Sequence, residues 1–437
     1  MKKILIITYY WPPSGGGGVQ RWLKFVKYLP SFNIDPVVVI PKNPEYPVID
    51  YTLKNDVPEN TPIIEIPIWE PYNLFKLFTG KNKKEKVNTG LLSKGEKKSF
   101  AEKISLRIRG NLLIPDPRVF WVSPAKKTLK RFLKNSSIDT IITTGPPHSV
   151  HLIGLKLKKR LNIKWIADFR DPWSEIDYLE EFKPSKMAKY LQRYLERKVL
   201  IQADKVITVS HNWASDLKRL GAHSVSIITN GYDSDDFLNF DYNTPSQDFY
   251  IMYSGIIHNY RNPEYLWDTL EKLCASIPSF AKTFQLRLFG IIDAEVLKYI
   301  KKLPILSKHF YFGGYIPHDK LLKEYEKATA LLHLQNNTIN APGHIPGKLF
   351  EYLATKKAII GIGPVEGDSS RIINECNSGK VFERTEKDEI YNYIKDLYEK
   401  WQKDKLAHLS SSKYEQYSRE NLTCRLVKEI NLLKDVK

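Results

Sequence analysis

Gly343–Pro364 reads GHIPGKLFEYLATKKAIIGIGP, and the rest of the chain is organised around it. Pro346 suits the first turn of a helix, where its missing N–H costs nothing, and the loop before the helix carries Gly343 and Gly347. Leu349 and Leu353, with Phe350 and Ala354 beside them, then make an apolar stripe at i, i+4 spacing, while Lys348 and Glu351 share a polar face near the helix start. The apolar run Ala358–Gly363 follows as a buried strand. N–H groups at a helix start, a lysine beside them and a carboxylate one turn on suit a nucleoside diphosphate, with the N–H groups and Lys348 on phosphate and Glu351 on the ribose hydroxyls. The plainer alternative is an ordinary amphipathic helix with solvated charges. A Walker A loop is excluded, because Gly343 stands one residue too close to the Gly-Lys pair and Leu349 follows the lysine where Ser or Thr is required.

At the other end of the chain, KILIIT (3–8) is a short apolar run, WPPSGGGG (11–18) a loop by composition, and Val19–Leu29 is apolar at Val19, Trp22, Leu23, Val26 and Leu29, a helical spacing. Four consecutive glycines before a helix allow backbone N–H groups to approach an anion; the alternative is a loop without a ligand. A nicotinamide fingerprint is disfavoured, since Gln20 occupies the third glycine position counted from Gly15 and the next strand, Val37–Ile40, ends in Pro41-Lys42 and not in an acidic residue. The N-terminus reads as a first strand and not as a signal peptide, because its apolar run stops after four residues.

Between these ends strands alternate with helices. After a short strand at Ile63–Ile66, strands are expected at 139–144, 164–169, 205–209 and 226–229, and after the polar stretch NTPSQD (243–248) again at 249–254, 285–290, 309–312, 330–335 and 358–363. Such alternation means parallel sheets covered on both faces, with ligands at the carboxyl ends of the strands. The residues just beyond the strands are therefore the candidates: Gly15–Gly18, Thr144–His148, Arg170 and Asp171 in ADFRDPW, Asn230-Gly231, and Gly255–Arg261. A hydroxyl could bond Asp171; a loop-holding Arg170–Asp171 salt bridge is the alternative. His148 and His151 lack a third ligand nearby and do not make a metal site.

The 437 residues carry a formal charge of +18, with 17 Lys or Arg against 4 Asp or Glu between Asn73 and Lys134. That excess suits an anionic surface, whether phospholipid, a lipid-linked diphosphate or nucleic acid; the alternative is a solvated insertion. Within it Ser99–Leu113 reads as a basic amphipathic helix with Phe100, Ile104 and Ile108 at i, i+4 and i+8, a pattern that suits a membrane surface or packing on the domain equally. Aromatics are too sparse among the lysines to stack bases, which argues against nucleic acid. Cys274, Cys376 and Cys424 form no CxxC pair, which encodes neither disulfide framework nor zinc site and fits a reducing compartment. No window approaches about 18 uninterrupted apolar residues, so no membrane span is expected.

Two doubly wound units, the glycine loop, ITNGYDSDDF (228–237), SGI (254–256) opening the second unit, and PGKLFEYLATKKAIIGIGP together resemble glycosyltransferases of the GT-B fold, most of all the retaining family 4 enzymes of bacterial surface polysaccharide synthesis. The resemblance implies two Rossmann-like α/β domains facing across a cleft: an acceptor domain over residues 1–245 with a basic insertion at about 73–113, a nucleotide-sugar donor domain over 246–415, and a last helix, 416–437, returning to the first domain. It implies donor contacts at Gly16, Gly17, Gly18, Gly255, Arg261, Lys348, Leu349 and Glu351, an acceptor contact at His148, and catalytic roles for Arg170 and Asp171. Two positions depart from the family: Gly343 stands where a second glutamate is common, and Arg170 where many members have histidine. The implied activity is transfer of a sugar from a nucleoside diphosphate to a hydroxyl of a glycan or lipid-linked acceptor, without metal or cofactor, in the cytoplasm or on the inner face of the membrane. The competing readings are a nucleotide-sugar epimerase of the same fold and a basic nucleic-acid-binding protein.

Overall fold

The computed structural model describes residues 1–71, 100–243, 247–404 and 412–433. The lysine-rich core of the basic insertion (81–98) and residues 244–246 of the NTPSQD stretch lie outside the described residues. The chain divides into two compact units, Met1–Asn230 with Arg419–Lys437, and Gly231–Ser418.

In the first unit seven parallel strands are ordered β3-β2-β1-β4-β5-β6-β7, where β1 is Lys2–Ile7, β2 Ile34–Lys42, β3 Ile63–Pro67, β4 Thr140–Gly145, β5 Lys164–Phe169, β6 Lys205–Thr208 and β7 Val225–Ile227. Alternation sorts the side chains: Leu5 and Ile7 join Val37, Ile141 and Trp165 on one face, while Ile4 and Ile6 join Val38, Ile142 and Ile166 on the other. The second face is covered by the helix Gly17–Tyr28 through Val19, Trp22 and Val26, and by the terminal helix Arg419–Leu432 through Leu422, Leu426 and Ile430. A 3-10 turn, Pro117–Trp121, runs straight into a helix, Val122–Lys134.

In the second unit six parallel strands are ordered β10-β9-β8-β11-β12-β13, with β8 Phe249–Ile257, β9 Phe284–Ile292, β10 Phe310–Gly314, β11 Ala330–Leu334, β12 Ala358–Ile362 and β13 Gly379–Phe382. Tyr232, Phe237 and Phe240 pack with Tyr250, Phe350 and Tyr417 in its core, so the chain changes unit at Asn230, ahead of the polar stretch. The helix read from Pro346 begins at Lys348 and ends at Ala354; Pro346 contributes the carbonyl that takes the Leu349 N–H at 3.0 Å.

In each sheet the strand order reverses direction once, between β1 and β4 and between β8 and β11. Loops leaving two such neighbours diverge, which opens a crevice beyond their carboxyl ends.

Candidate functional site

At the second unit's reversal, β8 delivers Ser254 and Gly255, and the turn Asn259–Arg261 follows. Gly255 pairs with Gly290 of β9, and a side chain at Gly290, whose φ is 111°, would run into the Gly255 carbonyl. Arg261 crosses to the neighbouring strand, its Nη2 donating to the Leu334 carbonyl at 2.6 Å, while its buried Nε has no partner. His333 of β11 is buried with Nε2 unpartnered; burial first, then His344 and Arg261, lower its pKa to about 3, so the ring is neutral. Gln335 steadies the following loop through Nε2, which donates to the His344 carbonyl at 3.0 Å, and leaves a buried Oε1 without a partner.

The helix Lys348–Ala354 is fastened to β8 by Tyr352, whose hydroxyl meets the Ser254 N–H at 3.3 Å and its Oγ at 3.2 Å; that Oγ also meets the Tyr325 hydroxyl at 2.8 Å. Its polar face is thereby held over the strand ends. Burial lowers the pKa of Lys348, opposed by the Glu351 charge beside it. Glu351 Oε1 lies 3.6 Å from His318 Nε2, and Oε2 is buried with no partner. A carboxylate oxygen removed from water and left unbonded is costly, and two donors from a ligand would satisfy it. Leu349 is fully buried in the core, and its N–H is already bonded to Pro346.

The first unit's reversal is built differently. Gly16, at φ 88°, precedes the helix that begins at Gly17, where a side chain would be strained, and a Cβ on Gly18 would sit 3.4 Å from Arg170 Nη1. Arg170 Nη1 donates to the Gly18 carbonyl, Nη2 to Pro146 at 2.5 Å and Nε to Gly145 at 3.2 Å, so one guanidinium joins the glycine loop to the end of β4. Burial lowers its pKa, opposed first by Asp171 and then by Asp168. Behind it Asp168, fully buried, takes Arg21 Nη2 at 3.0 Å, Trp22 Nε1 at 2.6 Å and Thr144 Oγ1 at 2.9 Å. His148 stacks on Trp173 with ring centroids 5.1 Å apart, and His151 on Phe169 at 4.4 Å. Burial pushes both imidazoles down, His151 to about 3 and His148 well below its ordinary value, with His148 only 8% exposed. Among the described residues no three His, Cys, Asp or Glu stand together as metal ligands, and no helix is long and apolar enough to cross a membrane.

The sequence reading missed the Arg21–Asp168 pair. Its signal was an aspartate inside an apolar strand and an arginine beside the apolar stripe of a helix.

Two family models match the chain in succession: Glycosyltransferase Family 4 over residues 84–236, and Glycosyl transferases group 1 over 234–416. The chain is a GT-B glycosyltransferase. The two matches meet within a few residues of the point where this glycosyltransferase passes from its first unit to its second. No curated protein sequence matches it significantly. Among solved structures, sucrose-phosphate synthase from Thermosynechococcus elongatus aligns over 100% of both chains at 14% identity with a TM-score of 0.59. Anabaena HepE in complex with UDP-glucose aligns over 99% of this chain and 100% of its own, at 13% identity and a TM-score of 0.58. A UDP-N-acetylglucosamine 2-epimerase of Listeria monocytogenes, so described, aligns over 100% of this chain and 98% of its own, at 11% identity and 0.56. At such identities these likenesses establish the glycosyltransferase's fold and nothing finer.

Proposed function

We propose that this glycosyltransferase moves a sugar from a nucleoside-diphosphate sugar, held by the second unit, to a hydroxyl of a glycan or lipid-linked acceptor bound by the first. The observation that carries the reading is Glu351 Oε2, a buried carboxylate oxygen without a partner beside a half-buried Lys348. Glu351 takes the two ribose hydroxyls, and Lys348 with Arg261 meets the diphosphate. Fixed cations in a water-poor site stabilise a departing diphosphate without a metal ion. HepE, a protein of the same fold, is described in complex with UDP-glucose, a ligand of this class.

In the first unit the Gly16–Gly18 loop serves the diphosphate, His148 lines the acceptor side and the Asp171 carboxylate orients the acceptor hydroxyl. Arg170, with three carbonyls on its guanidinium, is a positioning residue that holds the glycine loop against β4. Retention of configuration, a role in cell-surface polysaccharide synthesis and a cytoplasmic location belong to the same proposal and rest on the family resemblance.

A thermal-shift panel of UDP, GDP, TDP, CMP, ADP and NAD tests it. One nucleoside diphosphate, at about 100 times its dissociation constant, adds roughly 2.7 kcal/mol to the wild type and nothing comparable to Glu351→Ala or Lys348→Ala. No shift with any diphosphate at millimolar concentration overturns the reading.

A further inference from the structure

Two helices of the first unit expose lines of apolar residues, and one of them buries polar residues on its other face. In the helix Lys186–Gln202 the buried residues include Gln192 and Glu196, while Met187 is 72%, Tyr190 63% and Tyr194 41% exposed. The inward polar groups have partners. Gln192 Oε1 accepts from Trp173 Nε1 at 2.7 Å, Gln192 Nε2 donates to the Pro115 carbonyl at 3.1 Å, and Glu196 accepts from the Ser174 N–H at 3.2 Å. Those contacts explain the inward face and leave the outward one without a reason. Positions 187, 190 and 194 are spaced by three and four and form one stripe, extended by Ile201 and flanked by exposed Lys186, Arg193 and Arg197. A merely solvated face would carry charged residues along that line.

The helix Phe100–Asn111 also exposes an apolar line. Ile104 (43% exposed), Ile108 (38%) and Leu112 (74%), four residues apart, face outward beside exposed Lys103 and Arg107. Asn111 joins the end of this helix to the start of the other: its Nδ2 donates to the Lys183 carbonyl at 3.2 Å, and its Oδ1 accepts the Ser185 N–H at 2.7 Å. Arg109 lies over the Phe182 ring at 4.5 Å in the same junction.

We propose that the two stripes form one surface that docks the protein on an anionic lipid bilayer. Tyrosine, methionine and isoleucine lines bordered by lysine and arginine match the boundary between headgroups and acyl chains, where the apolar groups enter and the cations meet phosphate. Between Phe100 and Lys134 nine Lys or Arg stand against two Asp or Glu, which adds long-range attraction to such a surface. A second copy of this chain is a poorer occupant, because closing the face on itself sets cationic borders against each other. Glu180 does not relieve that repulsion, being paired with Lys189 at 2.6 Å. The surface does not depend on the donor reading.

Flotation of the full chain with vesicles of phosphatidylglycerol and phosphatidylcholine, against phosphatidylcholine alone, tests it. The wild type floats with the anionic vesicles only. Met187→Glu with Tyr190→Glu, and separately Ile104→Glu with Ile108→Glu, each weaken partitioning by about tenfold or more and keep the wild-type melting temperature. Tyr190→Trp shows a blue shift of emission on anionic vesicles, and Glu351→Ala floats as the wild type does. Absence of wild-type flotation, flotation unchanged in both double variants, or a tryptophan without a shift each overturns the proposal. So does a dimer in sedimentation that the double variants dissociate while flotation persists, which makes the second copy the occupant.

Discussion

The two sheet reversals have the same topology and opposite electrostatics. At the first, ionised groups are consumed by the protein itself: Asp168 by Arg21, Trp22 and Thr144, and Arg170 by the carbonyls of Gly18, Gly145 and Pro146. At the second, ionised groups keep bonding capacity in reserve, Glu351 at Oε2 and Arg261 at Nε; unbonded neutral atoms occur at both reversals, on His148 and His151 at the first and on His333 and Gln335 at the second. A buried polar group without a partner costs folding free energy, which is the physical ground for proposing a ligand at Glu351 and Arg261. On the proposed reading, the charges of Asp168 and Arg170 hold the loops of the first reversal, and those of Glu351 and Arg261 meet the donor at the second.

The contrast breaks most visibly at Asp168. Asp168→Ala leaves Arg21 buried without its counter-charge and lowers the unfolding free energy by about 3–5 kcal/mol, read by urea denaturation. A loss under about 1 kcal/mol would mean that the first reversal is not held by its charges. Glu351→Ala does the reverse. It leaves the stability of the ligand-free protein within about 0.5 kcal/mol of the wild type, yet weakens the nucleoside diphosphate by about 2 kcal/mol, roughly thirtyfold, in calorimetric titration.

Glu196 sharpens the picture of the first unit. Burial pushes its carboxyl up to about 7, so the folded chain binds this proton more tightly than the unfolded chain does. Its contribution is complete below the usual carboxylate value near 4.5 and is lost as pH rises through about 7. Glu196→Gln therefore removes a decline of about 1–3 kcal/mol across that window, seen as a flatter melting temperature against pH. His151, held near 3 by burial and by Arg170, acts in the opposite sense: its contribution is present above about 6.5 and is lost as pH falls towards 3. The smallest effect is expected from Arg170→Lys, which gives up part of the carbonyl clamp for about 1 kcal/mol of stability and leaves diphosphate affinity within about threefold.

Both sheets were legible because parallel strands buried on two faces are short continuous apolar runs; the run read at 164–169 is β5, residue for residue. What escaped had weak or misleading local signals. β13, reading GKVF, offers two apolar residues and opens on a glycine at φ 155°. The helix Val122–Lys134 buries Val122, Ala125, Leu129 and Leu133 at helical spacing, but it lies within the basic stretch, where the charge excess draws the reading and no helix is assigned. The Lys348 and Glu351 face was legible from spacing alone, whereas Asp168 and Arg21, 147 residues apart, have no local pattern to join them. In the helix Lys186–Gln202, hydrophobicity alone does not pick the buried face, because Gln192 and Glu196 find partners inside beside Ala188, Val199 and Leu200 while the tyrosines lie outside.

The most direct measurement is the dissociation constant of the stabilising nucleoside diphosphate for wild type, Glu351→Ala and Arg170→Lys, by titration calorimetry at one pH and salt concentration. The account predicts a loss of about thirtyfold for Glu351→Ala and no more than about threefold for Arg170→Lys. Equal losses at both positions, or none at Glu351, would contradict it.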